Sequence, residues 1–307
     1  MELKSVKRLT PTLVVSLVSL CWSGCALVNK MAANGIASVM EATGDVWASG
    51  DDPELVCQSV PFALSTIEGL LTRQPDSEEL LLKAITGFAQ YAYVCVETEA
   101  VLLEEADYVM AREQEERALR LYLRATMYGL RALELKYPGI TRGLMVDPES
   151  TVASTEAEDV PLLYWTAATW GAAISRGRDR PELIADLPAV IAMMERVLEL
   201  NEAFGGGAVH EVFIMIEGLP ANMGGSPEKA REHFERALEL NKGLRASTYA
   251  TYASPALPEQ NRREFERLML AALAVDPDAD PGSRLQNLIV QKRARRMLDR
   301  VDDLFIE

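Results

Sequence analysis

Along most of the chain, apolar residues recur every three or four positions, the period of an α-helix with one buried face. Cys57, Val60, Leu64, Ile67 and Leu71 form one such stripe, and Leu81, Ile85, Phe88, Ala92 and Cys95 form another. No stretch reads as a strand. The periodicity predicts helices over about 30–42, 54–73, 77–104, 107–136, 159–175, 182–201, 208–218, 227–241, 244–253, 259–275 and 282–305. Asp52-Pro53-Glu54 and Ser226-Pro227-Glu228 each place a capping side chain before a proline at the first helical position, where the missing N–H is not needed. Gly205-Gly206-Gly207 and Gly224-Gly225 break the chain between helices.

The helices carry a degenerate repeat. Glu195-Arg196-Val197-Leu198-Glu199-Leu200-Asn201 returns forty positions later as Glu235-Arg236-Ala237-Leu238-Glu239-Leu240-Asn241, and Arg131-Ala132-Leu133-Glu134-Leu135-Lys136 is a further copy. Ala230, Phe234 and Ala237 follow the small–bulky–small spacing of a tetratricopeptide second helix. Phe265, Met269, Ala272 and Pro277, and Ala63, Ile67, Leu70 and Pro75, follow it more loosely. The third-slot positions fall at 70, 132, 197, 237 and 272, so the last two steps approach the ~34-residue period and the earlier ones leave room for an extra helix pair. The fold class expected is all-α, an irregular tetratricopeptide-like helical-repeat array.

The N-terminus reads as an address. Lys4, Lys7 and Arg8 precede an apolar run from Leu9 to Trp22, shorter than the ~20 residues of a membrane span. Small residues Ser23 and Gly24 then lead to Cys25, as in a bacterial lipobox, although Trp22 stands where that pattern prefers leucine. This reading divides the chain into a signal peptide (1–24), a lipid anchor at Cys25 with an N-terminal segment (25–50), and a single all-helical repeat domain (51–307). Ala26 after the anchor, rather than Asp, resembles an outer-membrane rather than inner-membrane destination. Two or three acyl chains anchor far more stably than one.

In the oxidising compartment this address implies, Cys57 and Cys95 have two readings. They flank Pro75 at 18 and 20 residues, which sets them level in a helical hairpin and suits a disulfide. Two buried thiols behaving as small hydrophobes fit the apolar stripes equally.

Composition narrows the function. The chain has 31 Lys and Arg against 46 Asp and Glu, for a net charge of −15. Without residues 1–24 the balance is 28 to 45, or −17, and anionic headgroups repel such a body. No basic footprint for nucleic acid is present. Two histidines, His210 and His233, give no metal cluster. No G-x-S-x-G elbow and no P-loop occurs, so neither an enzyme nor a cofactor is expected.

Blocks along the mature chain resemble one family. They include Asp51-Asp52-Pro53-Glu54, Glu68-Gly69-Leu70-Leu71, Gly87-Phe88-Ala89-Gln90-Tyr91-Ala92-Tyr93, Leu163-Tyr164-Trp165 with Trp170-Gly171-Ala172, Gly207-Ala208-Val209-His210, Ser226 to Phe234, and Asp276-Pro277-Asp278 through Arg295-Arg296. In order and spacing these resemble the T component of tripartite ATP-independent periplasmic (TRAP) transporters, the TatT-like lipoproteins. The resemblance implies an all-helical lipoprotein in the periplasm, trimeric, with an apolar channel through each protomer. Its partner would be a TRAP-type solute-binding protein and its ligand an apolar small molecule. It carries no catalytic residue over. The alternative is an envelope scaffold that binds peptides or assembly partners in a tetratricopeptide-like groove.

Within that frame, Trp165, Trp170, His210 and Phe213 are the candidate channel wall. Trp165 and Trp170 splay by ~140° on a helix, so one faces a cavity while the other packs. His210-Glu211 opens a helix, either as a polar pair at a channel or partner surface or as a capping or core histidine. His233 is expected at the surface. Lys292-Arg293 and Arg295-Arg296 read as a solvated face, as a contact for an acidic partner, or as internal ion-pair partners. Asp276, Asp278 and Asp280 resemble a calcium loop only loosely.

Overall fold

The computed structural model describes residues 47–219, 224–254 and 261–305. The signal peptide, the anchor at Cys25 and the helix expected over 30–42 lie outside them. Among the described residues there is no strand, and no helix is long and apolar enough to cross a membrane. The fold is all-α, a helical repeat-like array.

The α-helices of five residues or more are α1 (Pro53–Leu71), α2 (Glu78–Tyr91), α3 (Thr98–Leu103), α4 (Tyr108–Lys136), α5 (Ile140–Val146), α6 (Pro148–Val152), α7 (Val160–Arg176), α8 (Leu187–Asn201), α9 (Ala208–Glu217), α10 (Pro227–Asn241), α11 (Ala246–Ala253), α12 (Arg262–Ala274) and α13 (Arg284–Asp299). Their starts follow from capping chemistry. Asp52, Ser77, Asp107, Asp147, Ser226 and Asn261 each accept a backbone N–H of the following helix with a side-chain oxygen. The segment expected as one helix over 77–104 is continuous, but its middle, Ala92–Glu97, is π-helical. The helix expected over 182–201 is interrupted between Ile184 and Leu187, just ahead of Pro188. Helices α5 and α6 fill a stretch with no helix in the sequence reading; each is a single short amphipathic turn or two, below the length at which periodicity is legible.

Packing runs mostly along the chain: α1 on α2, α2 on α4, α4 on α7, α7 on α8, α9 on α10, α11 on α12, and α12 on α13. Cys57 and Cys95 are joined by a disulfide, with Cα atoms 5.6 Å apart, which ties the start of α1 to the π-helical turn. The α4–α7 seam is close because its residues are small. A Cβ at Gly129 would lie 2.3 Å from the Thr166 Oγ1, and the Thr126 and Thr169 hydroxyls are 3.1 Å apart in the same seam. Thr166 is fully buried, is β-branched, and donates to the Leu162 carbonyl, so it has little room to yield. Gly129→Val is therefore expected to destabilise by about 1–3 kcal/mol through overpacking, despite valine's better helix propensity. Urea denaturation of the two chains measures it, and an unchanged midpoint would show that the seam relaxes freely.

The last long helix returns to the first half of the chain. α13 packs on α3. Arg296 pairs with Glu105, Arg300 pairs with Glu104 at 2.8 Å and with Glu105 at 2.6 Å, and Arg293 approaches Glu97 at 3.8 Å. Arg293 and Arg296 of the basic cluster on α13 are thus used internally, while Lys292 and Arg295 are exposed. Elements from the first and last parts of the described chain therefore pack against each other.

Candidate functional site

Polar and charged side chains from several elements meet where these helices pack. Glu97, on the π-helical turn and only 5% exposed, accepts from Arg176 at the end of α7 at 2.9 Å. Tyr122 of α4 also hydrogen-bonds to it, and Arg293 of α13 lies alongside. The Arg293 guanidinium covers the Tyr93 ring at 4.8 Å. From the other side, Glu211 of α9 accepts from Ser247 at 3.0 Å and Thr248 at 2.6 Å at the start of α11. Asn241 donates to Thr248 and so orients that hydroxyl. Arg245, just before α11, and Tyr164 of α7 are within electrostatic reach of Glu211, and so is Tyr93. The two halves are one cluster.

Burial governs the ionisation of this cluster. It raises the Glu211 carboxyl above the ordinary range, against the opposing pull of Thr248, Arg245 and Ser247. It likewise raises the phenols of Tyr93, Tyr122 and Tyr164. Tyr93, Tyr164 and Glu211 nevertheless keep part of their surface accessible.

The sequence-predicted residues divide among three places. Trp165 is partly accessible and meets Tyr164 edge-on at 5.3 Å; Tyr164 in turn meets Phe204 at 5.2 Å, so these three form an aromatic wall beside the cluster. Trp170 is buried, and its indole N–H donates to Asp186 at 3.2 Å, stitching α7 to the start of α8. His210 and Phe213 lie on the face of α9 that meets α10. Phe213 stacks on His233 at 5.0 Å, and the two histidines share a hydrogen bond at 2.8 Å between their Nδ1 atoms. His233 is half-buried in this seam rather than on the surface. The charged neighbours that favour a surface reading, Glu232 and Glu235, are themselves exposed, one residue before and two residues after the inward position.

The histidine pair carries a pH dependence. A hydrogen bond between two Nδ1 atoms needs one donor and one acceptor, so it cannot hold with both rings charged. Burial, and for His210 also the charge of His233, lowers both pKa values below the usual histidine range. Glu202 beside His210 and Glu217 and Glu232 near His233 oppose this without reversing it. Below about pH 6.5 the unfolded chain takes up protons that the folded chain resists, so stability is intact at neutral pH and falls as pH drops. Thermal melts between neutral pH and pH 5 should show this loss. His233→Gln should flatten the dependence; an equally steep profile in that variant would assign the loss to other groups.

No local signal marks Tyr93, Tyr122, Arg176, Arg245 or Arg293 as neighbours. Tyr93 and Tyr122 sit in amphipathic stripes, Arg176 reads as a helix-end cation, and Arg293 as one of a basic run. Only the blocks around Tyr93 and Tyr164 pointed here, as part of a resemblance. Among the described residues, no group of three or more His, Cys, Asp or Glu side chains is placed to hold a metal ion.

Comparison with known proteins follows the same boundaries. The sequence pattern of the TRAP transporter T-component family matches residues 49–305, which is essentially the whole helical domain. An uncharacterized protein of Treponema pallidum is 32% identical over 268 residues, covering 85% of this chain and 83% of its own length.

Proposed function

The chain belongs to the TRAP transporter T-component family, and on that footing we propose that it is a non-enzymatic, lipid-anchored periplasmic accessory protein that docks a TRAP-type solute-binding protein and holds or passes a ligand with an apolar body. Transport across the membrane falls to other subunits, since no described helix is able to span. The observation that supports the ligand half of this reading is the cluster of polar and charged side chains shared by α7, α9, α11 and α13, with Tyr164, Trp165 and Phe204 in contact beside it. A peptide-binding repeat scaffold would present an open concave face. Here α13 folds back across the array onto α3, which favours the enclosed reading. The chain assembles as a homotrimer in this proposal, with the outer membrane as the destination of the anchor.

Two experiments test it. Cys25→Ser should abolish incorporation of labelled palmitate and release the protein from the membrane fraction; label still entering that variant would remove the anchor. Detergent-solubilised pull-down from native envelope, read by mass spectrometry, should recover a periplasmic solute-binding protein together with the bait. Recovery of assembly factors in its place would support the scaffold reading.

A further inference from the structure

The bond between His210 and His233 fixes the tautomer of both rings. It runs from Nδ1 to Nδ1 at 2.8 Å, so one ring carries its proton on Nδ1, and the other accepts there and keeps its proton on Nε2. Glu202 decides which is which. Its Oε2 lies 3.4 Å from the Nε2 of His210, a buried nitrogen with no well-aligned partner among the described residues. A proton on that nitrogen faces a carboxylate, whereas a lone pair there would face a second acceptor. His210 is therefore the Nε2–H ring and the acceptor of the pair. His233 is the donor, and its Nε2 is the nitrogen left to take up a proton. His233 is half-buried where His210 is only 4% exposed, so a proton from water reaches His233 more readily.

Two protons can be added to this pair, with opposite effects on the seam. The first goes to the Nε2 of His233. The imidazolium still donates its Nδ1–H to neutral His210, and the bond becomes charge-assisted. The second has to go to the Nδ1 of His210, the atom that accepts the bond. That loses the bond and leaves two cationic rings with centroids 5.1 Å apart. We infer that the α9–α10 seam is a two-proton latch, shut while the pair is neutral or singly charged and released when His210 takes the second proton.

The groups around the pair are placed for that release. Glu202, just past the end of α8, is held by Arg236 of α10, through Nε at 3.1 Å and through Nη2. An imidazolium at His210 competes with Arg236 for this carboxylate, so the tie between α8 and α10 slackens in the same step. At the other ring, Glu217 of α9 and Glu232 of α10 favour the charge and Lys229 of α10 opposes it. Glu211, next along α9, is engaged by Ser247 and Thr248 of α11. His210 stands in the first turn of α9, where the helix dipole disfavours a cation, so its proton comes last. The element free to respond is α10. Gly224 before it and Gly243 after it have positive φ (92° and 70°), and Glu228, Arg231, Glu232 and Glu235 along its outer side are exposed. The latch answers acidification and needs neither a ligand nor a docking partner.

These are the two histidines of the whole chain, so NMR of the purified protein labelled in histidine alone reads both rings. At neutral pH one ring should be protonated at Nδ1 and the other at Nε2, and the spectrum of His233→Gln should assign the Nε2–H ring to His210. Titration toward about pH 4.5 should then show two separate steps, His233 before His210. Hydrogen exchange, corrected for its intrinsic pH dependence, should show the amides of α10 losing about tenfold in protection across the second step and none across the first, with α4 and α7 unchanged. His233→Gln keeps a neutral donor to His210, so its α10 should stay protected throughout. Two Nε2–H rings at neutral pH, or rings that titrate together, would overturn the assignment of the two protons. An α10 that keeps its protection after both rings are charged, or that loosens equally in His233→Gln, would overturn the latch.

Discussion

Replacing Cys57 and Cys95 together by alanine is expected to lower the stability of the helical domain by about 3–4 kcal/mol, the loop-closure entropy that a bridge of this span removes from the unfolded chain. The two residues are 38 apart in sequence, and the loop they close contains most of α1 and all of α2. Urea denaturation without reductant should show the full loss in the double variant. Adding dithiothreitol should bring the parent chain to the same midpoint and leave the variant where it is. A variant with the parental midpoint would mean that packing of α1 on α2 alone fixes this hairpin, and that the cysteines contribute only as small buried groups.

That pair also shows how far the sequence is legible. Counting residues from Pro75 sets Cys57 and Cys95 at one height in a hairpin, because a helical rise is regular and the turn is tight. The same count leaves bonded and unbonded cysteines undecided, since both are apolar at the seam. The π-helical turn that carries Cys95 has no sequence signature of its own. The all-α class, most helix ends and the repeat-like succession were readable, because caps and 3.6-residue periodicity are local signals. The candidate site was less so. Trp165 against Trp170 was anticipated as one packed and one open ring, and Glu211 as a polar residue opening a helix. The partners of Glu211 are Arg245, Ser247 and Thr248, 34 to 37 residues on, and Tyr93 and Tyr164 earlier in the chain. Arg293 and Tyr93 meet because α13 packs back on the segment around α3. Closure of that kind depends on long-range geometry and leaves no spacing to count.

The histidine seam sets the second large effect. Phe213 is 5% exposed, and its ring lies nearly parallel to His233, with an angle of 16° between planes. His210, one turn earlier, faces the same partner helix. Phe213→Asp is therefore expected to cost more than about 4 kcal/mol. The lost packing of a buried phenylalanine alone is worth about 3–5 kcal/mol, and a carboxylate set in its place adds desolvation. The variant should be largely unfolded by circular dichroism at physiological temperature, or fold only as its new carboxyl becomes neutral or charges His233. Trp165→Ala provides the contrast. Trp165 is partly accessible and touches Tyr164 by its edge, so its truncation should spare the fold, with a cooperative melt close to that of the parent chain. A Phe213→Asp chain as stable as the parent would place that side chain against open space instead, and would return Phe213 from the α9–α10 seam to the wall of the interior.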